Sequence, residues 1–241
     1  MRPFLAILLA VSATLPAQDR TLRFAEAAAA KVRQAPSVRG DDFEWYFPVK
    51  EVKHLATGRF WEKPWEEVAA NQADPVPGIV EFHGLLKERG IRLLLVPVPA
   101  KGSIHPGRLV EGASAGDAAA LAPFLERIAA AGVEVLDLEP RFLEVCKNDP
   151  AALLYCRQDA HFSPAGAELV AKLVAETAPL DGATAPGPFS VGEAGTLTFV
   201  GDQITGSEWE GVVPPETLPV HYVSAGGRVG VTPDPTSPVL L

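Results

Sequence analysis

A helix, a glycine and an apolar run follow one another twice in this chain, and this repeat constrains its fold more than any other feature. Residues 74–89 are predicted to form an amphipathic helix that ends at a glycine, and residues 91–98 follow as a nearly continuous apolar run. Residues 118–131 and 133–138 repeat the pattern. Strands that are apolar throughout belong to parallel sheets covered on both faces. The repeat therefore predicts right-handed βαβ units in an α/β domain, with helices flanking a parallel sheet.

After residue 178 the composition of the chain changes. Residues 181–222 are rich in Gly, Pro and Thr, and they include two short runs typical of β-strands, at 196–200 and 218–223. We expect a small β-rich insert here. Residues 237–241 are apolar again and are predicted to begin another buried strand.

The first 17 residues have the pattern of a secretory signal peptide. Arg2 supplies a positive charge, residues 4–11 are apolar, and small residues continue to Ala17. The apolar run is too short to cross about 30 Å of hydrocarbon as a helix. We expect residues 1–17 to be removed on export. Residues 18–241 would then form a periplasmic or secreted domain without stable membrane insertion. An uncleaved anchor or a buried first helix is the alternative.

The two cysteines and the overall charge narrow the chemistry further. Cys146 and Cys156 are predicted to form a disulfide in an oxidising compartment, with two separate buried thiols as the alternative. Neither zinc spacing nor another cofactor motif accompanies them, so no metal and no cofactor is predicted. The formal net charge of −9 argues against a nucleic-acid partner, because binding phosphates requires an excess of cations.

Asp159 and His161 are the strongest candidates for catalysis. They are two residues apart, directly before Ser163-Pro164, which is expected to begin a helix. Residues two apart in an extended segment project from the same side. A carboxylate beside an imidazole holds its tautomer and raises its basicity, as a general base for a hydroxyl nucleophile requires. From spacing alone, a structural role is equally open, with Asp159 capping the helix and His161 packing.

Four further patterns occur in order along the chain. They are Gly40-Asp41 with Trp45-Tyr46-Phe47, then Gly58-Arg59-Phe60-Trp61, then Gly90-Ile91 with Val96-Pro97-Val98-Pro99-Ala100-Lys101, and finally Asp159-Ala160-His161-Phe162-Ser163-Pro164-Ala165-Gly166-Ala167. Together they resemble the SGNH-hydrolase-like domain of the AlgX/AlgJ family of periplasmic polysaccharide O-acetyltransferases. The last stretch departs from the family pattern at Phe162 and Ala160, which replace a tryptophan and a threonine. The resemblance covers about residues 40–241 and implies a flavodoxin-like parallel sheet.

The resemblance also implies a function. It implies an extracytoplasmic enzyme that acetylates hydroxyls of an alginate-like exopolysaccharide by a Ser-His-Asp mechanism, with His161 as general base and Asp159 orienting it. A membrane O-acyltransferase partner would bring the acyl group. Lys101, Arg157 and Tyr155 are expected to contact the substrate. A plain surface cation is the alternative for Lys101, and pairing with a local carboxylate is the alternative for Arg157.

The nucleophilic serine of this family follows a late buried strand, in a Gly-[Asp/Thr]-Ser turn. Residues 237–241 resemble that strand, so we expect a C-terminally truncated form that turns over little or nothing by itself. Gly201-Asp202-Gln203 is superficially similar to the turn, but glutamine cannot attack an ester. Two other functions remain open: an SGNH carbohydrate esterase, and a non-catalytic polysaccharide-binding protein of an export complex.

Overall fold

The computed structural model describes residues 16–69, 71–178, 189–225 and 228–229. Helices and short strands are interspersed up to residue 178, and longer strands follow. The helices are α1 (Ala17–Lys31), α2 (Val49–Thr57), α3 (Trp65–Val68), α4 (Pro75–Lys87), α5 (Lys101–Ile104), α6 (Pro106–Leu109), α7 (Ala122–Ala130), α8 (Glu139–Asn148) and α9 (Pro164–Thr177), with a 3₁₀ turn at Phe60–Glu62. The strands are β1 (Ser37–Arg39), β2 (Tyr46–Pro48), β3 (Leu94–Leu95), β4 (Glu134–Val135), β5 (Phe189–Phe199), β6 (Glu216–Ala225) and β7 (Arg228–Val229).

The two apolar runs of the repeat pair in parallel, as the sequence predicts. The pairing joins β3 to β4, and the α/β expectation is confirmed. Each paired strand is nevertheless shorter than the predicted runs, 91–98 and 133–138. The runs are also less covered than the apolar pattern predicts, because Ile91 and Val98 are exposed and the paired residues of β3 and β4 are only partly buried.

Capping side chains fix where the helices around this pair begin. The Asp74 carboxylate accepts a hydrogen bond from the Val76 amide at 2.9 Å, directly before α4. The Ser163 hydroxyl accepts one from the Gly166 amide at 3.1 Å and begins α9. Both helices have proline at the first position, where no amide hydrogen bond is lost. The helices predicted over 74–89 and from Ser163 are thus present.

The described residues form two apolar cores. The larger joins α1, α2, β1, β2, α8 and α9; its fully or nearly fully buried members include Phe24, Val38, Phe47, Val52, Leu109, Leu138, Phe142 and Tyr155. The smaller surrounds α7, where the rings of Phe60 and Trp65 pack edge-on and tilted against Phe124, with ring centroids 5.1 and 6.1 Å apart. The aromatic residues at 60–65 therefore pack in a core.

An antiparallel sheet occupies the described part of the segment predicted to be β-rich. β5 pairs with β6 along most of its length, with an irregularity between Val191 and Ala194, and β7 pairs with the end of β6. The runs predicted as strands lie in β5 and β6, apart from Val200, which directly follows β5. The turns between β5 and β6 return the chain to the region of Asp159.

Some expectations concern residues outside the described ranges. They are most of the proposed signal peptide (1–15), the beginning of the β-rich segment (181–188) and the strand at 237–241. Among the described residues, no helix combines the length and the hydropathy that crossing a bilayer would require.

Candidate active site

Asp159 and His161 lie on a short loop whose two ends are paired to each other. Tyr155 and Phe162 form an antiparallel bridge across its base. We call residues 155–162 the site loop. Helix α9 begins almost directly after it. The loop is therefore held at its base by backbone pairing and at its exit by a capped helix, which limits how far its tip can move.

The carboxylate of Asp159 and the imidazole of His161 are in direct contact. The His161 Nδ1 atom lies 2.5 Å from the Asp159 Oδ1 atom, which also accepts the His161 amide at 3.0 Å. The carboxylate is 15% exposed and the imidazole 82% exposed. With Nδ1 donating to the carboxylate, Nε2 of the neutral ring is left as a proton acceptor. Within the described ranges, no side chain hydrogen-bonds to that nitrogen.

A second loop packs against the site loop from the side of the β5–β6 sheet. We call residues 201–203 the supporting loop. The Asp202 amide donates to Asp159 Oδ2 at 2.9 Å, and Asp202 Oδ1 accepts from the Ala160 amide at 2.9 Å. A Cβ atom on Gly201 would lie 2.0 Å from a backbone carbonyl oxygen of the site loop. Only glycine therefore permits this approach.

These contacts shift both pKa values in the pair. Burial alone would raise the pKa of Asp159, but hydrogen bonds from the Asp202 amide and from His161 hold it below its ordinary value. The hydrogen bond and the negative charge of Asp159 raise the pKa of His161, and the Asp202 carboxylate acts in the same direction. The carboxylate therefore stays ionised while the imidazole becomes a stronger base, which suits proton transfer from a hydroxyl group.

Asp159, His161 and Asp202 also bring potential metal-ligand atoms within 4.8 Å of one another. However, Nδ1 of His161 is already hydrogen-bonded to the Asp159 carboxylate, and Asp202 Oδ1 is bonded to a backbone amide. Nδ1 therefore carries the proton that it donates, and both carboxylates already accept hydrogen bonds, so we assign the cluster to a hydrogen-bonded pair and its support.

Arg157 pairs with carboxylates of its own chain, which was the alternative to substrate contact, and a contact with substrate stays a prediction. Its Nε lies 3.2 Å from Glu216 Oε1, and its guanidinium donates to Glu44 at 3.0 Å. The Glu216 side chain is 0% exposed and also accepts the backbone amides of Arg157 and Gln158, each at 3.0 Å. A buried carboxylate needs such partners, so Arg157 serves the site loop itself.

Lys101 is buried rather than exposed, so it does not contact substrate as expected, nor is it a surface cation. Its side chain is 0% exposed. The ammonium group donates to the carbonyl oxygens of Tyr46, Arg157 and Asp159 at 2.6, 2.9 and 3.1 Å. Burial lowers the pKa of Lys101 to about 8, against the opposing effect of nearby carboxylates. Lys101 therefore anchors the site loop from beneath.

Tyr155 is also withdrawn from any substrate, contrary to expectation. It is 1% exposed, and its hydroxyl donates to the carbonyl oxygen of Pro99. Burial raises the pKa of the Tyr155 hydroxyl well above its ordinary range. The ring packs against Phe142 and Phe162, so this residue belongs to the core beneath the loop.

The predicted disulfide is not formed, since Cys146 and Cys156 are both free thiols. The Cys156 Sγ atom contacts the carbonyl oxygen of Phe162 at 3.4 Å, whereas Cys146 lies on α8 at the edge of the larger core. Burial raises the pKa of Cys146 to about 11 and of Cys156 to about 12. The alternative of two separate thiols describes the structure.

The structure thus brings together Asp159 and His161, with Lys101 and Arg157 beneath and beside them. It adds Asp202 and Glu216, which sequence reasoning missed as parts of the site. A signal existed for Asp202, because it follows Gly201 in a Gly-Asp pair. Nothing in the sequence around Glu216 indicated that its side chain is buried against the site loop.

The family model and the curated relatives that match this chain are all AlgX or AlgJ proteins. The family model described as the SGNH hydrolase-like domain of acetyltransferase AlgX matches residues 44–224. A protein named probable alginate O-acetylase AlgJ from Pseudomonas aeruginosa is 33% identical over 129 residues, which cover 53% of this chain and 29% of that protein. The alginate biosynthesis protein AlgX of Pseudomonas putida is 35% identical over 103 residues, or 40% of this chain and 22% of that protein. The chain therefore spans well under half the length of these curated relatives.

Solved structures agree on the fold. The O-acetyltransferase domain of Pseudomonas putida AlgJ superposes with a TM-score of 0.59 at 23% identity, covering 80% of this chain and 67% of that one. Pseudomonas aeruginosa AlgX has a TM-score of 0.50 at 23% identity, covering 78% of this chain and 43% of that one. At this identity the superpositions establish a shared fold.

Proposed function

The chain belongs to the SGNH hydrolase-like acetyltransferase family of AlgX, and from that membership we propose that it transfers acetyl groups to hydroxyls of an alginate-like exopolysaccharide outside the cytoplasm. Relatives named as alginate O-acetylases support the reaction and the kind of polymer. A membrane O-acyltransferase partner would supply the acetyl group, and the polysaccharide would be the acceptor.

One observation carries this proposal: the Asp159 carboxylate lies on Nδ1 of a largely exposed imidazole at His161. In the proposed mechanism, Asp159 holds the ring in the tautomer whose Nε2 accepts a proton, and it stabilises the imidazolium that forms. His161 is the general base. The raised pKa of His161 and the lowered pKa of Asp159 both support these roles.

The reaction divides into two proton-coupled steps. First, a serine hydroxyl gives its proton to His161 Nε2 while its oxygen attacks the acetyl carbonyl of the donor. The donor's leaving oxygen departs with that proton, and an acetyl-serine remains. Second, the acceptor hydroxyl gives its proton to His161 and attacks the acetyl carbonyl. The serine oxygen leaves and takes the proton back, so the enzyme is regenerated.

We place the nucleophilic serine outside the described residues. Among the described residues, no serine hydroxyl hydrogen-bonds to His161. Six of these hydroxyls are engaged with backbone carbonyls or with one another, those of Ser37, Ser103, Ser163, Ser190, Ser207 and Ser224. Ser163 is additionally committed to capping α9. These engagements support a nucleophile supplied by another part of the protein.

The proposal is tested with the protein as its gene encodes it, a chromogenic acetyl ester as donor and a mannuronate oligosaccharide as acceptor. We expect mass spectrometry to detect acetylated oligosaccharide. Ester hydrolysis without any acetylated acceptor would instead indicate a carbohydrate esterase. If neither reaction occurs, and the Asp159→Asn/His161→Ala double variant binds the oligosaccharide as the wild type does, a non-catalytic binding protein is indicated and the proposal is wrong.

The pH profile of the reaction should report the Asp159–His161 pair. His161 must be unprotonated to accept a proton, so kcat/KM is expected to fall as the pH drops below the raised pKa of His161. Asp159→Asn removes the negative charge that raises the pKa of His161. The inflection of kcat/KM with pH should therefore move to lower pH, together with a large loss of rate. Glu168→Gln is the matched control, because Glu168 is the carboxylate 3.1 Å from another exposed imidazole, His221. An inflection that stays in place in Asp159→Asn would contradict the assignment.

A further inference from the structure

Asp202 contacts the Asp159–His161 pair through both its backbone and its side chain. Its amide holds Asp159 Oδ2, its Oδ1 atom holds the Ala160 amide, and its Oδ2 atom lies 4.0 Å from His161 Nδ1. These contacts join the supporting loop to three consecutive residues of the site loop. They cross 42 and 43 positions of sequence, so they are tertiary contacts rather than features of a local turn.

The two oxygens of the Asp159 carboxylate bind different partners. Oδ2 receives the Asp202 amide at 2.9 Å, which leaves Oδ1 for the imidazole. A carboxylate held by one oxygen cannot rotate freely, so the other oxygen stays aimed at the ring. The Asp202 carboxylate also places a second negative charge near Nδ1, where positive charge develops once His161 has taken a proton.

We propose that Asp202 is a positioning residue of this site, which orients the Asp159 carboxylate and favours the imidazolium form of His161 during acetyl transfer. The inference rests on the proposed function. Asp202 acts through Asp159 and His161 and needs no contact with the acetyl group.

Its surroundings distinguish Asp202 from an ordinary surface acid. Its Oδ1 accepts a second hydrogen bond, from the Gln203 side chain at 3.0 Å. The missing side chain of Gly201 lets the supporting loop reach the site loop. Glu208, only a few positions later, is exposed and pairs with Arg33 at 2.8 Å instead. Among the described residues, the charged groups facing His161 are Asp159 from its own loop and Asp202 from the supporting loop.

The test compares Asp202→Ala, Asp202→Asn and the control Glu208→Gln in the full protein. NMR titration of the His161 ring, assigned through the loss of its signals in His161→Gln, should show a lower pKa in both Asp202 variants and no change in the control. Acetyl transfer should lose about 10–100-fold in kcat in Asp202→Ala, with a smaller change in KM, because a misplacement of about 1 Å at a catalytic group can cost about 100-fold. Asp202→Asn should recover part of that loss, because its amide oxygen can still accept the Ala160 amide.

A purely structural role for Asp202 would lower the melting temperature without moving the titration of His161. The inference is wrong if the pKa of His161 in folded Asp202→Ala equals that in the wild type. Should the alanine variant not fold, the same comparison is made with Asp202→Asn. The NMR readout needs no catalysis, so the two hypotheses fail separately. If the pKa of His161 shifts in the Asp202 variants but the wild type transfers no acetyl group, the proposed function is wrong and the positioning of His161 by Asp202 is supported.

Discussion

Replacing His161 by alanine is expected to lower acetyl transfer by about 10²–10⁴-fold, the range that a positioned general base contributes. The imidazole is 82% exposed, so its removal should cost little packing and leave the melting temperature nearly unchanged. The effect should lie in kcat, because the proposed proton transfer occurs in the transition state rather than in substrate binding. Rates with the acetyl ester donor and the oligosaccharide acceptor, measured beside thermal unfolding, separate these contributions.

His221→Ala is the matched control for this prediction. His221 is also exposed and also has a carboxylate 3.1 Å from its Nδ1, but it lies on β6 beside Glu168. The control should keep full activity. Equal rates for His161→Ala and wild type would remove His161 from the mechanism. Equal losses in both histidine variants would point to a general effect of removing exposed histidines.

Lys101→Met is expected to destabilise the fold by about 3–5 kcal/mol, the typical cost of removing one member of a buried charged arrangement. Methionine keeps the apolar stem but leaves the carbonyl oxygens of Tyr46, Arg157 and Asp159 without the ammonium group. For a chain of this size that corresponds to a fall of roughly 6–20 °C in melting temperature. Differential scanning calorimetry measures it directly.

Lys172→Met serves as the control for this prediction, because Lys172 lies on α9 with a side chain 68% exposed and only a 3.9 Å ion pair to Glu176. An exposed pair of this kind contributes about 0.5 kcal/mol or less. If Lys101→Met does not fold, Lys101→Gln keeps a donor and should give a smaller measurable loss. A melting temperature within about 2 °C of wild type in Lys101→Met would contradict the anchoring role, since that shift corresponds to only about 1 kcal/mol.

The family resemblance and the local sequence patterns predicted the fold class and the start of a helix correctly. The family and the α/β class are confirmed, and Ser163 caps a helix as its residue type indicated. These predictions succeed because capping and apolar periodicity act over a few consecutive residues. Strand length was predicted less well, since pairing of β3 with β4 depends on where a distant segment lies.

Predictions for single side chains around the site fared worse, for a related reason. Lys101, Arg157 and Tyr155 were expected to contact substrate from the family resemblance, which does not say how each side chain packs. In the structure, the Lys101 ammonium meets backbone carbonyls, Arg157 meets Glu216, and Tyr155 meets the Pro99 carbonyl. Each partner lies more than 50 positions away in sequence, and nothing in a local pattern encodes such a distance.

Asp159 and His161 show which features the sequence alone determines and which depend on the tertiary structure. The sequence by itself determined that a carboxylate and an imidazole stand two residues apart before a capped helix, because that arrangement depends on neighbouring residues alone. Only the tertiary structure decided what surrounds them: Asp202 on one carboxylate oxygen, and Lys101 and Glu216 beneath the loop. Those contacts depend on how separate segments of the chain pack, and packing is a property of the whole fold rather than of any short stretch of sequence.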